Sequence, residues 1–241
     1  MKNIAAIVLK ELNTYFVSPI AYFVFFIFTA VTGFLFSAIL LSSSNFQASS
    51  TAVVQILFNN ISVILLFFTP ALTMKLFAEE RKTGTIELLL TSPLKDTEVV
   101  LGKFLASWLL FGMMLLLTGL FPILLTRFGD PDFGPISSGY LGLILLGSAF
   151  LALGVMVSSM TKNQIVAALT SFGLLLSLWV IGFLSNRGGV LGKVFGYLSL
   201  TAHFEDFSRG TISLKHTVYY LSFTFVCLFL TVKAVESSKW R

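Results

Sequence analysis

The sequence predicts an all-α integral membrane protein with six transmembrane helices and a short amphipathic helix ahead of the first. Three observations carry this. Of 241 residues, 56% are hydrophobic and only 11% charged, where a soluble domain carries roughly a quarter charged residues. The mean hydropathy is +0.92. Long apolar runs recur six times, each close to the roughly 20 residues that a helix needs to cross a bilayer.

Residues 1–18 are too polar to cross. Ile4, Val8, Leu12, Tyr15 and Phe16 share one helical face, with Lys2, Asn3, Lys10, Asn13 and Thr14 opposite and Ile7 and Glu11 blurring the edges. This pattern predicts a helix lying at the membrane interface. Ser18 then suits the cap of the first span and Pro19 its first position. The spans follow at about 20–41, 53–74 (Pro70 in its last turns), 104–126, 140–160, 165–184 and 217–232. The fourth and fifth are joined only by Thr161–Gln164, a tight helical hairpin. No linker divides the chain, which reads as a single membrane domain over residues 1–241. The first long apolar run begins only near Ile20 and lacks a small-residue exit, so it is expected to stay in the membrane.

Orientation follows from the Lys/Arg bias. One side collects Lys2, Lys10, Lys75, Arg81, Lys82, Lys95, Lys103, Lys162, Lys233, Lys239 and Arg241; the other has Arg127, Arg187, Lys193, Arg209 and Lys215. Both termini are expected in the cytoplasm. The same scatter argues against a nucleic-acid partner, because no basic stripe with interleaved aromatics forms. Cys227 stands alone in an apolar run, so no intrachain disulfide is possible.

Between the second and third spans lies FAEERKTGTIELLLTSPLKDTEVVLGK, residues 77–103. It reads as a charged segment, a Thr83-Gly84-Thr85 break, a short apolar helix from Ile86 to Leu90 and a Ser92-Pro93 stop. Asp96 is placed to cap the next helix, with Glu98 in its first turn. A solvated cluster obeying the positive-inside rule explains the four charges of Glu79-Glu80-Arg81-Lys82. It does not explain the break, turn and stop in that order.

The pattern E-x-x-x-G-T-x-E-x-L-L-x-S-P, followed by Gly102-Lys103, resembles the ABC-2 type permeases. The resemblance implies that this segment is a cytoplasmic coupling helix docking into a separate ATP-binding subunit. Carried over by residue, Glu80, Gly84, Thr85, Glu87, Leu89, Ser92, Pro93 and Lys103 match, with Ile86 and Leu90 on the same apolar turn. His203-Phe204-Glu205 before Arg209-Gly210, and the tail from Val218-Tyr219-Tyr220 to Lys239-Trp240-Arg241, resemble the permease associated with gliding motility in Bacteroidetes. They are also similar to the related nitrous-oxide-reductase maturation permease. The family implies an exporter subunit in the inner membrane, pairing with a second permease half (homo- or heterodimer), two ATPase subunits and, in the gliding-type complex, an auxiliary membrane subunit. The alternative is a non-transporting scaffold or mechanotransmission subunit.

Several chemistries are missing from the sequence. Neither Gly102-Lys103 nor Gly192-Lys193 completes a phosphate-binding G-x-x-x-x-G-K-[ST] loop, so ATP must be hydrolysed elsewhere. The expected spans hold no Asp, Glu, Lys, Arg or His, which argues against proton coupling and intramembrane acid–base catalysis. His203 and His216, alone in the outer loop, lack the companions of a metal site. No catalytic, cofactor or metal residues are assigned. Asn59 and Asn60 form the strongest polar pair within a span. They either line a path or hydrogen-bond to a neighbouring helix, the second reading being favoured. Gly147, Ala152, Ala167, Ser171 and Gly173 suit close helix contact. For the outer loop, Ser185–His216, short re-entrant helices are favoured over a surface loop with interfacial Phe195, Tyr197, Phe204 and Phe207.

Overall fold

The computed structural model describes residues 2–42, 50–85, 94–127, 131–184 and 189–238. Among them are eleven helices and no strand: α1 (Lys2–Val17), α2 (Pro19–Ser42), α3 (Ser50–Thr73), α4 (Lys75–Thr83), α5 (Asp96–Thr118), α6 (Leu120–Leu125), α7 (Phe133–Met160), α8 (Gln164–Leu184), α9 (Gly189–Leu198), α10 (Phe204–Ser208) and α11 (Leu214–Ser238). Six helical stretches are long and apolar enough to span a bilayer, with α3 running into α4 and α5 into α6. Only closed backbone hydrogen bonding survives in hydrocarbon, so helices are the form these runs take.

Helix α7 is the hub: 72% of its most apolar window is buried, against 17% for α8. Glycines explain how α7 accepts so many neighbours. A Cβ on Gly147 would lie 2.2 Å from the Phe111 ring of α5, and one on Gly154 would lie 2.1 Å from Thr73 Oγ1 of α3. Such small positions let backbones approach. Ala152, Ala167 and Ser171 are buried as expected for packing residues, but Gly173 has nothing within 4 Å of a built Cβ. It lies on the open side of α8, beside the exposed Leu169 and Leu174. The outward Phe23, Phe26 and Phe34 of α2 and Phe225 and Phe229 of α11 form surface suited to lipid rather than water.

Three local expectations change. Lys95, not Asp96, occupies the cap position of α5, and the Glu98 carboxylate accepts from the Lys95 N–H at 3.2 Å. A carboxylate three residues into a helix reaches back to the cap amide, so Asp96 becomes the first helical residue. On α1, Ile7 and Glu11 are the buried centre of the inward face and Phe16 is exposed. The reason is tertiary. Gly102 of α5 leaves room for Ile7 (a Cβ there would meet Ile7 Cγ2 at 2.6 Å), and Glu11 meets a buried cation.

The outer loop is no surface coil among its described residues. Phe204 and Phe207 of α10 are fully buried against Gly142 of α7, and Ser138 donates to the Phe207 carbonyl at 2.8 Å. Tyr219 stacks on His203 with ring centroids 4.0 Å apart, and Tyr220 donates to the Leu200 carbonyl. The α9–α10 segment thus forms a fitted cap on the end of the bundle opposite the termini.

Candidate functional site

At the terminal end, α1, α4 and α5 converge on one ammonium group. Lys103 is 1% exposed. Its Nζ lies 2.8 Å from Glu11 Oε1, 2.9 Å from Glu80 Oε1 and 2.7 Å from the Leu76 carbonyl. An ammonium has three donors and no acceptor, so these partners satisfy it completely. The Phe77 ring adds a face 5.2 Å from Nζ. Lys10 sits on the solvent side, 3.3 Å from Glu80 Oε1 and 3.7 Å from Glu11 Oε1. Two lysines thus balance two carboxylates. A buried charge without such pairing would cost several kcal/mol.

Each side chain is delivered by its backbone. Pro70 cannot donate within α3, and past Met74 the chain resumes as α4. The first-turn amides of α4 find a partner outside the helix: Ser158 Oγ of α7 accepts from the Phe77 and Ala78 N–H groups at 3.1 and 3.2 Å. The same hydroxyl donates to the Met74 carbonyl at 3.1 Å. At the other end, Gly84 has φ +74° and closes α4 in the left-handed conformation, which glycine adopts without strain. Thr83 Oγ1 bonds back to the Glu79 carbonyl at 3.0 Å, and Thr85 Oγ1 reaches the Glu80 carbonyl at 3.5 Å. Arg81 reaches the Ala234 carbonyl of α11 at 3.4 Å. Helix α4 is therefore tied to α1, α5, α7 and α11, and it points its Gly84 end into the loop.

Of the loop residues singled out by sequence, Glu80, Gly84 and Thr85 come together here. Ile86, Glu87, Leu89, Leu90, Ser92 and Pro93 lie outside the described residues. The sequence reading missed Glu11 and Ser158 and counted Lys103 only as topology and motif. One signal was present: a lone acid at the edge of an apolar helical face, with a lysine directly ahead of a span, asks for a partner.

At the opposite end, Asn59 borders a cavity of about 400 Å³ together with Trp179, Phe183 and Glu205. Asn60 is half-buried beside it. Among the described residues neither amide hydrogen-bonds to another helix. His203 and His216 come within 4.7 Å, ring centre to ring centre, with His203 Nδ1 on the Ser199 carbonyl and His216 Nε2 on Asp206, each at 2.8 Å. Burial holds His203 below the ordinary imidazole range, the nearby His216 and Lys215 adding to it against the opposing pulls of the Ser199 carbonyl and Asp206. A histidine depressed in the fold binds its proton more readily once released. The stability it lends the cap is therefore complete above pH ~6.5 and falls as pH drops below that. Amide protection across α9–α10, corrected for the pH dependence of intrinsic exchange, should be lower at pH 5.5 than at 7.5; equal protection would refute this.

A family model described as ABC-2 family transporter protein matches residues 41–232. A search of curated proteins finds no match.

Proposed function

We propose that this chain, which belongs to the ABC-2 family of transporter proteins, is a permease moved by ATP that a separate subunit hydrolyses. Family membership makes it a transporter membrane subunit; the energy source and mechanics are inferred from the site. The observation that carries the reading is the tethering of α4. A push on the segment after Gly84 cannot be absorbed locally, because Lys103 and Ser158 fix the preceding helix to α1, α5 and α7. Ile86, Glu87, Leu89, Leu90, Ser92 and Pro93 then form the docking element, with Glu80, Gly84 and Thr85 as its rigid root.

In this reading both termini and α4 are cytoplasmic, the membrane is the bacterial inner membrane, and a second permease half completes the path. Asn59 and the cavity beside it border that path on the outer side. The resemblance in His203–Glu205, Arg209-Gly210 and the tail supports a gliding-type complex with an auxiliary membrane subunit.

The test is a reconstitution with the cognate ATPase in proteoliposomes. The Glu87→Arg, Leu89→Asp double substitution should leave insertion and folding intact while transport is lost and ATPase activity no longer responds to substrate. Normal coupling in that variant would overturn the proposal. A scaffold without transport would show ATPase activity indifferent to substrate in the unmodified protein as well.

A further inference from the structure

A cavity of about 480 Å³ lies beside the Lys103 cluster, walled by α1, the start of α2 and the α3–α4 junction. That volume falls within the roughly 300–1,000 Å³ of ligand sites. Its inner wall is apolar: Ala21, Val24, Ala71, Leu72 and Leu76 all line it. Its rim carries Lys10, Lys75, Glu79 and Glu80, so both signs of charge stand over one apolar floor.

Two of those charges lack partners. The Lys75 and Glu79 side chains make no ion pair or hydrogen bond among the described residues. Glu80 is half-committed: Oε1 accepts from Lys103 and Lys10, whereas Oε2 is buried with no hydrogen-bond partner. A buried carboxylate oxygen without a donor is costly, and the missing donor must carry an N–H or O–H. The unpaired lysine asks for an anionic oxygen on the same ligand. The apolar wall asks for a hydrocarbon chain, and α1 is an amphipathic helix that leaves Leu9, Phe16 and Val17 exposed, as a helix at a lipid surface does.

We propose that this cavity holds one phospholipid with a primary-ammonium, zwitterionic headgroup, the phosphatidylethanolamine type. The ammonium donates to Glu80 and Glu79, the phosphate accepts from Lys75, and an acyl chain lies along Ala71, Leu72 and Val24. A choline headgroup is excluded from the first contact because its nitrogen has no hydrogen to donate. A glycerol headgroup brings a net negative charge to two carboxylates. The inference is independent of the coupling reading, since it concerns lipid binding to the chain alone.

The test is native mass spectrometry of the purified, delipidated full chain in mild detergent, titrated separately with phosphatidylethanolamine, phosphatidylcholine and phosphatidylglycerol. One ethanolamine lipid should bind at least about tenfold more tightly than either competitor, a gap worth ~1.4 kcal/mol. Glu79→Ala should erase most of that preference, Lys75→Ala should weaken all three lipids alike, and Ala71→Trp, which fills the inner wall, should abolish the adduct. Should Ala71→Trp fail to fold, Glu79→Ala decides alone. Equal binding of ethanolamine and choline lipids, or an unchanged preference in Glu79→Ala, would overturn the assignment.

Discussion

Replacing Lys103 with methionine should release α1 from the bundle and cost roughly 3–5 kcal/mol, the loss typical of stripping one partner from a buried ion cluster. The shape of the side chain is nearly kept, so packing alone predicts little change. Charge predicts a large one. Without the ammonium, Glu11 and Glu80 remain buried on one small volume with only Lys10, 57% exposed at its side chain, to face them. The Leu76 carbonyl also loses its 2.7 Å donor. Lys103→Arg should not restore the wild type, because a planar guanidinium cannot aim its donors at three acceptors arranged around a tetrahedral nitrogen. Adding Glu11→Gln and Glu80→Gln to Lys103→Met removes the stranded charges and should recover much of the stability. Thermal unfolding in detergent, with limited proteolysis near Val17, reads all three variants. Wild-type stability and an uncut N-terminal helix in Lys103→Met would show that the cluster holds nothing together.

The second large effect concerns two glycines that look alike in sequence. Gly142→Val should dislodge the outer cap, whereas Gly173→Val should leave the fold of the chain intact. A Cβ at Gly142 would stand 2.6 Å from Phe207 Cβ and 3.0 Å from Phe204 Cε2. The first of these atoms is anchored to the α10 backbone, so no rotamer change relieves the clash and the whole short helix must move. Overpacking of this kind costs roughly 1–3 kcal/mol, and the Ser138 bond to the Phe207 carbonyl is lost with it. At Gly173 a Cβ meets nothing within 4 Å, and removing a mid-helix glycine gains up to about 1 kcal/mol before the lower propensity of valine is subtracted. Amide exchange across residues 199–210 distinguishes the variants. Equal protection in both would mean that α10 is not seated on α7.

How far the sequence could be read depends on whether a residue's fate is set locally. The six spans were legible because a long uncharged run has one way to close its backbone hydrogen bonds in lipid. Their ends were less so. Hydropathy starts the third span at Phe104 although its helix, α5, runs from Asp96, within one residue of the start its cap residues imply. Hydropathy counts every lysine as hydrated, whereas Lys103 is neutralised inside the protein. Helix α7 begins at Phe133 rather than Tyr140, since Ser138 and Gly139 are covered by α10 and by Phe58. At the site, the Gly84 break was readable as a chain terminus of α4, for the glycine's positive φ is a backbone property. The partners of Glu80 were not. Lys103 is 23 residues away and Glu11 lies 92 residues before Lys103, and no periodicity links them.

The sequence by itself determined a membrane protein of six helical crossings with an amphipathic helix ahead of the first, because composition, span length and turn residues act over a few neighbouring positions. Only the tertiary structure decided that Glu11 is the centre of its helical face, that Gly142 lies against α10 while Gly173 faces open space, and that Phe204 and Phe207 of the outer loop are buried. Those outcomes depend on which helix lies opposite. An acid becomes a packing residue, or a glycine a contact, only when the facing element supplies a cation or a ring.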